Sequence, residues 1–114
     1  MRVTTEFFAA ALTRRIFADG GFAAVERKGA PEAGALFLKE RHRDGSVTLY
    51  GPAPQAVFEA GEAGDRRFEK RLSGAGPEDV DALVARELRF DPDLWLIEAE
   101  TDDLTRYIAV DEGE

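Results

Sequence analysis

The chain has no cysteine, a single histidine (His42), two serines (Ser46 and Ser73) and no long apolar run. Each absence closes off a chemistry. Without Cys there is no disulfide, no thiol nucleophile and no thiolate metal site. One His leaves no basis for a multi-histidine metal centre or a His-paired nucleophile. Both serines fall in turns, and only His42 lies near either of them, four residues before Ser46. A loop histidine beside a loop serine is ordinary solvated polarity rather than a triad. No apolar stretch approaches the roughly 18 residues of a membrane helix. The N-terminus lacks the apolar core of a secretion signal, so a cytoplasmic location is expected.

Basic charge is also in short supply. The net charge is −8, and it is uneven: +2 over residues 1–50, −2 over 51–90 and −8 over 91–114. A solvated acidic C-terminal stretch accounts for most of this. Neutralising phosphates requires a basic face, which this balance does not provide, so neither nucleic acid nor a membrane surface is an expected partner. Twelve Arg against three Lys, with eighteen Ala, reads as nucleotide-composition bias.

What is present is enough for one packed domain. The 114 residues are 44% hydrophobic and include eight Phe. Such a chain buries roughly 65% of its unfolded surface without cross-links. The most informative segment is Arg89-Phe-Asp-Pro-Asp-Leu-Trp95 with Leu96-Ile-Glu-Ala-Glu100 behind it. Pro92 has no amide proton and biases Asp91 away from helical geometry, so a helix must end there. Leu94 to Ile97 then reads as a strand apolar on both faces, which makes the segment a helix-to-buried-strand corner.

A first helix is expected over Thr5–Ala18. Thr4 or Thr5 caps it, Glu6 suits its positive end, and Gly20 stops it. Phe7, Phe8, Ala11, Leu12 and Ile16 form its apolar stripe, with Arg15 near the middle and Arg14 at the edge. A guanidinium aimed at a core is either an ion-paired or snorkelling side chain, or an anion contact at the mouth of a pocket. Strands are expected over Phe22–Arg27, Ala35–Arg41 and Val47–Tyr50. Gly29–Gly34 reads as a hairpin loop and Arg43–Ser46 as a hairpin turn, and Gly51-Pro-Ala-Pro54 should break the third strand sharply. Residues 56–60 and 67–72 are weaker strand candidates around a Gly61–Gly64 loop. The second helix starts at Pro77, with Val80, Leu83, Val84 and Leu88 on one buried face. A strand at Trp95–Thr101, a turn at Asp102-Asp103 and a last strand at Thr105–Val110 complete the chain, before a polar tail over 111–114.

Few motifs carry chemistry. Gly29 and Gly34 have the spacing of a phosphate loop, but Ala35-Leu36 stand where Lys-Ser/Thr must be. Asp91 and Asp93 are close enough to share a hard cation, whereas Glu98 and Glu100 lie about 13 Å or more further along a strand. Aspartates beside a helix end more often bond backbone amides and tie down the corner. Tyr50 and Trp95, at strand ends, either pack at the rim of the core or form an aromatic wall. With Arg15, Arg66 or Arg67 nearby, such a wall suits a small anion or an acidic peptide segment.

The elements Leu12-Thr-Arg-Arg15, Glu32-Ala-Gly-Ala35, Leu49-Tyr-Gly-Pro-Ala-Pro-Gln55, Asp65-Arg-Arg-Phe68 and Arg89-Phe-Asp-Pro-Asp-Leu-Trp95 resemble an uncharacterised bacterial family. It is the domain-of-unknown-function family fourteen-ninety-one, found chiefly in alphaproteobacteria, and the similarity spans nearly the whole chain. The resemblance implies a small single domain and no catalytic assignment. The order of helices and strands gives the expected fold as α+β: a mixed, mostly antiparallel sheet of five or six strands covered by two helices. The expected function is a non-catalytic binding or interaction module for a protein or small anionic ligand, without a cofactor. Its candidate contacts are Arg15, Tyr50, Arg66, Arg67, Asp91, Asp93 and Trp95. The alternative is a divalent-metal-dependent hydrolase or nuclease using Asp91 and Asp93.

Overall fold

The computed structural model describes residues 3–54 and 66–111. Helix α1 (Thr5–Ala18) is followed by β1 (Phe22–Arg27), β2 (Leu36–Arg41), β3 (Val47–Pro52), β4 (Arg67–Ala75), α2 (Pro77–Phe90), β5 (Trp95–Glu100) and β6 (Ala109–Val110). A single 3₁₀ turn, Leu104–Arg106, separates the last two strands. The expected strand at 56–60 and loop at 61–64 lie outside the described residues.

Both helices form for the reasons legible in their sequences. The Thr4 hydroxyl accepts the Phe7 amide at 3.1 Å, and Gly20 ends α1 at φ +91°, conformations that a short polar side chain and a residue without Cβ supply at low cost. Pro77 opens α2 with acids in its first turn and Arg89 in its last, matching the helix dipole. The buried side of α1 is Thr5, Ala9, Leu12 and Ile16. The apolar stripe is thus rotated from the expected one: Phe8 and Ala11 are half-buried at its edge, and Phe7 is 62% exposed.

The six strands make one mixed sheet in the order β1-β5-β2-β3-β4-β6. The β1–β5, β2–β3 and β3–β4 pairs are antiparallel, while β5–β2 and β4–β6 are parallel. β5 lies between β1 and β2, so Gly29–Gly34 is a crossing loop and not a hairpin. It runs tightly over the corner that precedes β5. A Cβ at Gly29 or at Gly34 would overlap the Asp93 carbonyl oxygen, which is why glycine stands at both ends of the crossing.

The sheet is packed on both faces. Under α1 lie Leu36, Leu38, Tyr50, Phe68, Trp95, Ile97 and Ala99, and under α2 lie Phe37, Val47, Leu49, Leu94 and Leu96. Alternate residues of β2 and β5 therefore serve opposite cores, as a period of two requires. In α2, Val80 and Val84 are buried, whereas Leu83 and Leu88 are half-buried at the rim.

Two strand boundaries differ from expectation. β3 continues through Gly51 and Pro52, which pair with Glu69 and Phe68. Its pairing with β2 ends at Tyr50, so the proline's missing N–H costs no bond on that side. At the C-terminus, residues 104–106 are a 3₁₀ turn because the Asp103 carboxylate accepts both the Thr105 amide (3.0 Å) and its hydroxyl (2.6 Å). That local bond outcompetes an extended backbone, and only Ala109–Val110 remain as strand.

Candidate functional site

Three of the seven expected contacts meet in one place. Arg66, Arg67 and Asp91 line a groove of about 410 Å³, floored by Leu36, Ala53 and Phe68. Arg67 comes from the first residue of β4, Asp91 caps the end of α2, and Leu36 opens β2. The sheet brings these ends together because β2, β3 and β4 are successive neighbours.

Each polar group at the groove is held. Arg66 donates to the Val3 carbonyl at 3.0 Å and stacks over the Phe8 ring, 5.6 Å from its centroid. The Arg67 Nε donates to the Asp111 carboxylate. A guanidinium has five N–H donors, so an ion pair through Nε leaves a fork that can still meet another carboxylate. The Asp91 Oδ1 accepts the Asp93 amide at 3.1 Å, the corner-tying bond expected of an aspartate after a helix.

The other four candidates are elsewhere. Arg15 is exposed at the edge of the α1 stripe and not within it; its guanidinium lies 5.3 Å from the Tyr107 ring centre and donates to the Tyr107 carbonyl at 3.4 Å. The wheel placed it centrally because the expected stripe reached out to Phe7, whereas the buried side is centred between Leu12 and Ile16. Asp93 is exposed, and its carbonyl accepts the Ala30 amide at 3.0 Å. Trp95 is buried, with its indole N–H donating to the Ala30 carbonyl at 2.7 Å. It fastens the crossing loop to β5 and forms no open wall.

Tyr50 is buried in the core, and its hydroxyl donates to Glu40. Burial, and then the neighbouring Glu40 carboxylate, push the phenol well above its usual range, because both disfavour a second anion there. This pair went unrecognised in the sequence. Glu40 sits in the charged run Lys39-Glu40-Arg41 at the end of β2, and nothing local distinguishes it from a solvent-facing acid.

Two further features were not anticipated. A wider cleft of about 870 Å³ opens between the end of α1, the β2–β3 turn and the loop after β5, with Arg41, His42, Arg43, Glu100, Asp102 and Arg106 among its walls. The run Arg41-His-Arg43 was the available signal, but it reads equally well as a turn. On the α2 face, Lys39 bonds Glu26 at 2.8 Å and Arg41 bonds Glu98 at 2.5 Å. Burial raises the Glu26 carboxyl, as does its hydrogen bond to Glu98; the same bond, with Arg41, lowers Glu98. The two acids are thus pushed in opposite directions across β1 and β5. Among the described residues, no group of three or more His, Cys, Asp or Glu is placed to hold a metal ion. No helix among them is long and apolar enough to cross a membrane.

These features define a small α+β domain whose polar residues are largely engaged in holding the sheet, with two open concavities at its rims. The chain belongs to the family described as "protein of unknown function (DUF1491)", which matches residues 3–109. A protein of A. tumefaciens with a known solution structure is 51% identical; the match covers 100% of this chain and 98% of that one, with a TM-score of 0.87. The crystal structure of a DUF1491 family protein from Caulobacter crescentus CB15 is similar at 31% identity and TM-score 0.77, covering 98% of this chain and 100% of that one. An NMR structure of a DUF1491 family protein from the same organism gives 32% identity, a TM-score of 0.76 and coverage of 98% and 99%. Among curated proteins, none matches the chain.

Proposed function

We propose that this domain is a non-catalytic binding module that accepts a carboxylate-bearing ligand in the groove of Arg66, Arg67, Phe68 and Asp91. The reading rests on one observation: two arginines held in place by other parts of the chain border a concavity with an apolar floor. Held guanidinium groups lose little further freedom when they bind, and a fork-shaped donor favours a carboxylate. The volume fits a few side chains of an acidic segment or one small organic acid. Asp91 at the rim would repel a fully anionic ligand, so the ligand should carry an apolar or cationic portion beside its carboxylate.

The test is titration of the full chain by NMR and calorimetry, with a glutamate- and leucine-containing peptide in one arm and small organic acids with an apolar tail, such as isovalerate, in the other. Binding in either arm, with shifts concentrated at Ala35, Ala53 and Phe68 and a roughly tenfold loss in Arg67→Ala, supports the reading and identifies the source. An absence of heat and of shifts in both arms, with the chain folded, rejects it.

A further inference from the structure

The wider cleft lies at the far end of β2 from the groove of Arg66 and Arg67. Leu36 floors the groove and Arg41 lines the cleft, and a strand from 36 to 41 spans about 16 Å. The parallel neighbours β2 and β5 both end there, at Arg41 and Glu100. Its walls are fastened from behind. Arg41 is bonded to Glu98, the His42 Nε2 meets the Thr48 hydroxyl at 2.8 Å, and the Tyr107 hydroxyl donates to Asp19 Oδ2 at 2.7 Å. A concavity fixed in advance leaves little freedom to be lost on binding.

The remaining charges of the cleft are unmatched. Arg43 comes from the β2–β3 turn and Arg106 from the 3₁₀ turn, and both are exposed. Neither guanidinium makes a hydrogen bond or ion pair with a described residue, and the Asp102 carboxylate makes none either. Glu100 has only the Arg41 Nε, at 3.9 Å, and Asp19 spends one oxygen on Tyr107. Two guanidinium groups and three carboxylates therefore line one cleft, and no ion pair joins one set to the other. A wholly anionic ligand would meet the three acids, together with the negative end of α1 beside Asp19. A wholly cationic one would meet the guanidinium groups. Only a molecule that carries both charges satisfies both sets.

We propose that this cleft binds a small polar zwitterion of about dipeptide length, its amine among Asp19, Glu100 and Asp102 and its carboxylate with Arg43 and Arg106. Protein groups too far apart to pair directly call for a ligand whose own charges are separated, and an α-amino acid, with both on one carbon, is shorter than that. The volume of about 870 Å³ suits a whole organic molecule. The hydroxyls of Thr101 and Tyr107, also in the walls, offer hydrogen-bond partners to a polar middle such as a peptide unit. Nothing here depends on the groove at the other end of β2.

Two accessible charge contacts give weak, millimolar binding. The test is an NMR titration of the full chain to about 20 mM, with dialanine in one arm and ε-aminocaproate in the other. Acetyl-dialanine, which lacks the cation, and dialanine amide, which lacks the anion, serve as single-charge controls. The expected result is saturable movement of the Gly20, Gly45 and Asp102 amides, with each control at least about fivefold weaker. Arg106→Ala and Asp102→Asn, both at exposed positions, should each weaken binding about threefold or more, while Arg86→Ala on the exposed side of α2 should not. Binding of dialanine alone would identify a peptide ligand; binding in both arms would show that the separated charges suffice. A folded chain whose cleft amides do not move in either arm overturns the proposal, as does movement confined to Ala35, Ala53 and Phe68 in the other groove. Controls that bind as well as their parent, or an Arg86→Ala loss equal to that of Arg106→Ala, overturn it too.

Discussion

The hydroxyl of Tyr50 donates to Glu40 Oε1 at 3.0 Å inside the core, while Oε2 of the same carboxylate accepts the Leu104 amide at 3.1 Å. One buried acid thereby ties β2 to β3 and holds the 3₁₀ turn against the sheet. Glu40→Ala would strand both donors in an apolar layer. The expected loss is about 2–5 kcal/mol, each unsatisfied buried donor costing about 1–3. Tyr50→Phe removes one donor and leaves the Leu104 bond intact, so it should cost less. Urea unfolding of the two variants decides the order; equal losses would show that the carboxylate holds only one of its two partners.

The opposite shifts of Glu26 and Glu98 give a pH signature with two opposite arms. The raised Glu26 value contributes stability that is present below the ordinary carboxylate range and lost as pH rises through the folded value. The lowered Glu98 value contributes stability that is present above that range and lost as pH falls through its folded value. Thermal melting across pH 3–8 should therefore show a shallow maximum near the ordinary carboxylate range. In Glu26→Gln, whose amide can donate to Glu98 at every pH, the loss on the higher-pH side should vanish. Persistence of that loss in the variant would place its origin elsewhere.

The crossing loop should be intolerant of added bulk. Gly29→Ala or Gly34→Ala must displace the Asp93 backbone, and with it the loop carbonyl that holds the Trp95 indole. A loss of more than about 2 kcal/mol is expected at either position, typical of overpacking against backbone. The native emission of the only tryptophan should also shift to the red. Gly45→Ala is the contrast: nothing lies within 4 Å of the added methyl and φ is +89°. Only the left-handed backbone is penalised there, at about 1 kcal/mol, and the emission should not change.

On α2 the order of sensitivity should follow burial. Val80 is 1% exposed and Val84 6%, whereas Leu83 is only half-buried. Val80→Asp should leave no folded population, because a carboxylate there has neither a partner nor water. Leu83→Asp should weaken the fold without abolishing it, since its side chain can turn toward solvent. Circular dichroism melts check this; equal unfolding by both would mean that α2 sits rotated from the placement described.

Local chemistry made most elements legible. Pro92 and the apolar run behind it announced β5, and Thr4, Gly20 and Pro77 marked the helix ends. Pairing was not legible, because the choice of β5 as the neighbour of both β1 and β2 depends on residues more than fifty positions apart. Gly29 and Gly34 hinted at a close approach but carry no record of what approaches. The misplaced last strand had a visible local cause in Asp103, whose spacing to Thr105 favours a turn. The site was legible only as residue types. Arg66, Arg67 and Asp91 converge because β4 begins and α2 ends on the same rim, whereas Arg15, equally plausible on a wheel, faces Tyr107.

The position of β5 also governs how the protein must be made. When the ribosome has delivered residues 1–90, the residues of both helices and four strands exist, yet β1 still has no strand to lie against, and six of the fourteen buried residues of the α1-side core and two of the seven of the α2-side core are missing. Closure of the sheet must wait until residues 95–100 clear the exit tunnel. Prematurely terminated products should then be sticky, protease-sensitive chains rather than truncated versions of the native domain.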